Sequence, residues 1–118
     1  MQIRSDRYYA AHLLGDLKDS RALPVLVPLL SDPDVNYIVT WSLGEIGGPD
    51  AVDALIAALD SKSVDVRVTA ILTLEKMRAH KARPQLRALL SDNERCHFDK
   101  LISVSEAARA ALATLDAQ

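Results

Sequence analysis

The sequence holds a single cysteine, Cys96, so no internal disulfide can form, and the cytoplasm is the expected compartment. No apolar run approaches the ~18 residues of a membrane span, and the N-terminal stretch lacks a signal peptide's apolar core and cleavage site. Neither secretion nor membrane embedding is expected. Glycine and proline are sparse, four and five residues in 118, while hydrophobic residues make up 49%, which excludes disorder. Aromatics are few, at 4%, and the apolar set is mainly Ala, Leu and Val, a bias toward helix over strand. Basic charge is not in excess: the formal net charge is -2, so nothing draws the whole chain to phosphate backbones or anionic membranes. Catalytic patterns are missing too: no phosphate-cradling glycine loop, H-E-x-x-H, paired C-x-x-C or G-x-S-x-G occurs. The histidines, His12, His80 and His97, are scattered, and Cys96 beside His97 reads as an ordinary loop thiol. No metal site and no cofactor are expected, and the chain is expected not to be an enzyme.

What the sequence does have is recurrence. Leu14-Gly15-Asp16-Leu17 returns 29 residues later as Leu43-Gly44-Glu45-Ile46, 31 further on as Leu74-Glu75-Lys76-Met77, and 38 further on as Leu112-Ala113-Thr114-Leu115. Between these copies lie three segments of a second kind, 22–30, 51–59 and 82–90. The second kind, the outer helices, places Leu23, Leu26, Val27 and Leu30, then Val52, Leu55, Ile56 and Leu59, on one helical stripe. The first kind, the inner helices, does so with Val35, Val39, Leu43 and Ile46, then Val66, Ala70, Leu74 and Met77. Each helix is too short to be stable alone, so burial against neighbours must hold it, as in a solenoid. The expectation is one all-α domain over 1–118: a lone helix 5–17, pairs 21–46, 50–77 and 81–115, and an insertion at 91–102.

The connections read as caps. Ser31-Asp32-Pro33-Asp34 predicts a capped helix start with Pro at the first helical position. Gly47-Gly48-Pro49-Asp50 predicts a stop followed by a start, and Ser103 with Glu106 a capping box. Pro28 falls inside the first outer helix and predicts a bend. Phe98, Leu101 and Ile102 suggest that the insertion folds back on the array. Arg67 is expected to pair with Asp34 or Asp65, and Arg83 and Arg87 with Asp92, Glu94 or Asp99, or with water.

The alternation of an A-[VL]-x-x-L-[IV]-x-x-L helix, an S-D-P-D turn and a V-[RN]-x-x-[AV]-x-x-x-L-G-x-[IL] helix resembles the HEAT-like repeats of the phycobilin-lyase type over nearly the whole chain. The resemblance implies a right-handed α-solenoid of about seven helices, three pairs plus an unpaired N-terminal helix, whose Val-Arg helices line the concave side, where such proteins bind partners. The Arg of that motif is present at Arg7 and Arg67 but is Asn36 and Ser105 elsewhere, so the Arg-to-Asp ladder implied between units is expected to be broken. The His-Glu dipeptide of HEAT-built metal hydroxylases is absent.

Placed on that resemblance, the positions expected to face solvent on the inner helices read Tyr8, Tyr9, His12 and Asp16; Tyr37, Ile38, Trp41 and Glu45; Val68, Thr69, Leu72 and Lys76; Glu106, Ala107, Ala110 and Thr114. All three Tyr and the single Trp fall there. Aromatics bury large area at low entropic cost, so the expected partner-binding face is Tyr8, Tyr9, His12, Asp16, Tyr37, Ile38, Trp41, Glu45, Thr69, Leu72 and Lys76. The alternative is packing: Tyr8 or Tyr9 covering the unpartnered first helix, and Trp41 filling a gap between units. The expected function is a protein- or peptide-binding scaffold or adaptor. The alternative the resemblance implies is a chromophore-lyase or chaperone-like subunit holding a tetrapyrrole or a partner subunit. A nucleic-acid-binding HEAT-like protein ranks below both, since only Lys76 and Arg7 offer positive charge on that face. The unpaired first helix offers an apolar flank for self-association.

Overall fold

The computed structural model describes residues 3–97 and 100–117, with the side chains of 3–6 outside that description; Phe98 and Asp99 therefore lie outside the described residues. Among those described there are seven α-helices and no strand: α1 (Ile3–Leu17), α2 (Leu23–Leu26), α3 (Asn36–Ile46), α4 (Gly48–Ala58), α5 (Val64–Lys76), α6 (Arg83–Ala88) and α7 (Val104–Asp116). The inner helices α1, α3, α5 and α7 pack each on the next, and the outer segments pack on the inner helices that follow them. The result is an all-α solenoid measuring 42 × 28 × 18 Å. No described helix is long and apolar enough to cross a membrane.

The core lies between the two layers. Leu26, Val35, Val39, Leu43, Leu55, Ile71, Leu74, Leu86 and Leu115 are fully buried there, each large side chain contributing roughly 2 kcal/mol. Not all of the expected stripe follows. Val27 is exposed and Leu30 half-buried, because the first outer helix does not merely bend at Pro28. Without an N–H, and with a ring that crowds the preceding turn, Pro28 stops α2 at Leu26, and Val27–Ser31 continue as a 3-10 turn.

Two turns differ from expectation in a similar way. Ser31-Asp32-Pro33-Asp34 does not cap a helix directly: α3 begins at Asn36, and the Asp32 carboxylate accepts from the Asp34 N–H (2.9 Å), shaping a turn first. Gly47 (φ 69°) and Gly48 (φ 87°) make the connection from α3 to α4, a left-handed backbone that glycine adopts at little cost. The same register position after α1 and α5 is filled by Lys18 (φ 53°) and Arg78 (φ 57°).

The insertion folds back as a short antiparallel pairing, Arg95 opposite Ser103, with Cys96 N–H donating to Ile102 O (2.9 Å) and Val104 N–H to Glu94 O (2.8 Å). Cys96 is buried in the core rather than in an open loop, and Ile102 packs beside it, but Leu101 is exposed. Ser103 caps α7, accepting from Glu106 N–H (3.1 Å), and its hydroxyl lies 2.9 Å from the Glu106 carboxylate.

Arg67 pairs with neither Asp34 nor Asp65. Its side chain, 10% exposed, reaches Asp92 (3.2 Å) and Glu94 (2.7 Å) in the next turn and donates to Ser61 O (2.7 Å). Asp92 and Glu94 are thus taken, and Arg83 turns instead to Asp116 (3.4 Å) and His80 (2.9 Å), while Arg87 stays exposed. Arg7 pairs with Asp32. Both rungs join residues 25 apart, and the missing middle rung would join Asn36 to Ser61, so cation and anion are lost together.

Candidate functional site

The inner helices present one stripe per unit at i, i+4 and i+8. In α1 it is Tyr8, His12 and Asp16; in α3 Tyr37, Trp41 and Glu45; in α5 Val68, Leu72 and Lys76. Tyr8, Asp16, Tyr37, Leu72 and Lys76 are exposed, and His12, Trp41 and Glu45 are half-buried. Val68 is buried.

The structure corrects the neighbouring position. Ile38 (4% exposed) and Thr69 (6%), both expected on the binding face, are buried. A step of 100° round the helix carries that position off the open face and into the seam with the preceding inner helix. Ser42, one turn past Ile38, lies 2.7 Å from Ala11 O of α1, and Thr69 bonds back to its own helix at Asp65 O (2.9 Å). Ala107 is buried at the same register. Tyr9 shares this position, so its exposure is that of the open flank of α1, where Leu13 and Leu17 are exposed with it.

Around Trp41 the side chains are ordered by contact. Its ring stacks on His12 from α1, with centroids 4.9 Å apart and planes 10° from parallel. His12 Nδ1 is 3.3 Å from Asp16. Tyr8 and Tyr9 meet edge to face at 6.1 Å. Glu45 of α3 pairs with Lys76 of α5 at 3.6 Å, bridging the seam on an open surface where such a pair contributes at most about 1 kcal/mol. Tyr37, Trp41, Leu72 and Lys76, with Thr40, Thr69 and Thr73, line a mostly apolar cleft of about 150 Å³ between α3 and α5.

A second cavity of about 340 Å³ adjoins it and shares Tyr37 and Thr69; Asn36 and Asp65 complete its lining. Reading the sequence had not singled out Thr40, Thr73, Asn36 or Asp65 as site residues. Only Asn36 carried a signal, as the departure from Arg in the repeat. Among the described residues no group of three or more His, Cys, Asp or Glu side chains is arranged to hold a metal ion.

A profile of HEAT repeats matches residues 4–63 and 31–96. The chain is 32% identical over 98% of its length to an uncharacterized phycocyanin operon protein Y of Pseudanabaena tenuis, covering 27% of that protein. It is 36% identical over 72% of its length to the phycocyanobilin lyase subunit alpha of a Picosynechococcus species, covering 36% of it. It is 30% identical over 72% of its length to human deoxyhypusine hydroxylase, covering 30% of it. The chain thus spans about a third or less of most of these relatives. The expectation that it is not an enzyme is overturned by the relatives named as lyase subunits. The motifs sought in the sequence belong to sites complete within one chain, and their absence does not bear on chemistry shared among subunits. The matched register, running from α1 into the turn after α6, makes this chain a member of the HEAT-repeat family.

Proposed function

We propose that this chain is the HEAT module of a lyase-type subunit, and that the face formed by α1, α3 and α5 docks a partner protein subunit, with Tyr37 and Trp41 as anchors. The observation that carries the reading is the exposure of Tyr8, Tyr37 and Leu72 beside the half-buried Trp41, with Tyr37, Trp41 and Leu72 lining an apolar cleft. Asp16 and the His12 ring lie on the same face, and Glu45 offsets the Lys76 charge at the cleft, which leaves the face suited to a polar or basic partner. A photo-crosslinking residue at position 37, compared with one at Asp60 in the exposed turn after α4, tests this in the producing cell. Crosslinks should concentrate at 37 and fall at least tenfold with Trp41→Ala, as for a hot spot of about 2 kcal/mol. Equal crosslinking from both positions in a folded protein would sink the reading.

The names of the lyase relatives favour a second occupant for the same face, a tetrapyrrole. Mixing with phycocyanobilin should then shift its visible spectrum, and an unchanged spectrum removes that occupant. Tyr9, Leu13 and Leu17, exposed on one stripe of α1, support self-association through that flank. Sedimentation should show concentration-dependent dimers that Leu13→Lys abolishes, and a monomer at all concentrations ends that proposal.

A further inference from the structure

The cavity at the first turns of α3 and α5 is, like the cleft beside it, lined mostly by apolar surface, but it adds the carboxylate of Asp65 and the carboxamide of Asn36. Its lining is Asn36, Tyr37, Asp65 and Thr69, with no Lys or Arg among them. Asn36 stands where the units on either side have Arg7 and Arg67. In the flanking units the Arg reaches an acid 25 residues on, Asp32 or Asp92. In the middle unit both members are gone, replaced by Asn36 and Ser61, and an open space remains beside Asn36.

We propose that this cavity accepts an arginine side chain from a docked polypeptide, supplying from outside the guanidinium that the middle unit lacks. Asp65 is the acid. One of its oxygens accepts from the His97 N–H (2.7 Å) and the other lies 3.8 Å from His97 Nδ1, so the carboxylate is held in place with acceptor capacity left over. The Asn36 carboxamide adds an acceptor, and the Tyr37 ring, 64% exposed, is a face on which a guanidinium can stack. An anionic occupant would meet Asp65 with no cation in the lining to offset it. The inference rests on the docking reading, since the cavity adjoins the same cleft, and it names the basic residue a partner must offer.

The test uses a probe independent of any partner. N-acetyl-arginine N-methylamide is titrated into the ¹⁵N-labelled chain, with the citrulline analogue, equal in shape but neutral, as control. The expected result is saturable shifts centred on Asn36, Tyr37, Asp65 and Thr69 with a Kd on the order of 1–10 mM. Citrulline should bind at least about tenfold more weakly, since the charge-assisted bonds are lost. Asp65→Asn should erase the preference for arginine over citrulline. Should that variant fail to fold, Tyr37→Leu, at an exposed position, should weaken arginine binding severalfold. Equal shifts from the two probes, or no saturable shift by about 50 mM, overturns the inference. Crosslinking through position 37 together with an arginine probe that behaves like citrulline would leave the docking reading standing and remove this one alone.

Discussion

Between α1 and α3 the backbones close on each other, whereas between α5 and α7 they are tied by polar side chains. At Gly15 an added Cβ would lie 2.9 Å from the Ser42 Cα, and beside that contact the half-buried His12 and Trp41 rings stack. At the other end the Glu75 carboxylate takes the Thr114 hydroxyl (2.6 Å), and Arg67 is sunk among Asp92, Glu94 and Ser61. One repeat therefore serves two purposes. A seam closed by small residues leaves Tyr8 and Tyr37 exposed for a partner, while His12 and Trp41 stack across it. A seam closed by buried charge uses its long side chains for itself.

The two arginine rungs should separate the ends most widely. Arg67→Ala strips a buried guanidinium from two hydrogen-bond acceptors, Ser61 O and Glu94, and from its ion pair with Asp92, and should lower stability by about 3 kcal/mol, at the low end for a buried pair because Glu94 is exposed and regains water. Arg7→Ala, whose side chain is 39% exposed, should cost under about 1 kcal/mol. Urea melts of the two variants measure this, and equal losses would erase the distinction between the ends. Next in size is Gly15→Ala, which must push the Ser42 backbone and should cost about 2 kcal/mol. Gly44→Ala meets only the Thr73 methyl and should cost about 1 kcal/mol, because a side chain yields more readily than a backbone. The His12–Trp41 stack sits over the first of these seams, so Gly15→Ala should also shift the fluorescence of the single Trp, while Gly44→Ala should shift it less.

A smaller effect of opposite sign is expected where the repeat asks for glycine and does not have it. Lys18, Gly47 and Arg78 occupy one register position after the inner helices, all with positive φ. Lys18→Gly relieves the left-handed strain at some entropic cost in the unfolded chain, and should stabilise by about 0.5 kcal/mol. A destabilised variant would mean that the strain at the N-terminal end is already relaxed.

The layered plan was legible because burial imposes a period, and residues such as Leu43, Leu55 and Leu74 report it directly. The face was legible only to within one helical step: Tyr37 and Ile38 are adjacent in sequence, yet about 100° of rotation leaves one in solvent and seals the other. Nothing in composition marks that boundary; it depends on how closely α1 approaches α3, which Gly15 and Ser42 set. Arg67 was misassigned for a different reason. The expected partners, Asp34 and Asp65, lie before Arg67 in the chain, whereas stacking of the units brings it to Asp92 in the turn that follows. The Asn36 and Ser61 pair was readable in part: the missing Arg was visible, but that its acid was missing too emerges only when the intact rungs show which turn each Arg meets.

The mildest contrast lies at the entries to the outer segments. Asp19 precedes the 3-10 turn Ser20–Ala22 and accepts from the Arg21 N–H (2.9 Å), while the Arg21 guanidinium lies 2.6 Å from its other oxygen. The equivalent residue in the last unit is Ala79, with no side chain to cap, and Lys81 goes to Asp53 instead. The Arg21 side chain first, and its backbone N–H second, hold the Asp19 carboxyl at about 2, below its ordinary 3.8. A lowered carboxyl pKa stabilises above the unfolded value and loses that contribution as pH falls through the folded one, so the effect is confined to the interval between 3.8 and about 2. Arg21→Ala removes the guanidinium and keeps the N–H. The Asp19 midpoint, read from its carboxyl ¹³C shift, should rise part of the way toward 3.8, and the depression that remains belongs to the backbone cap. A midpoint that does not move would assign the whole effect to the turn itself. The N-terminal entry would then owe its order to backbone geometry, as the uncapped entry at Ala79 must.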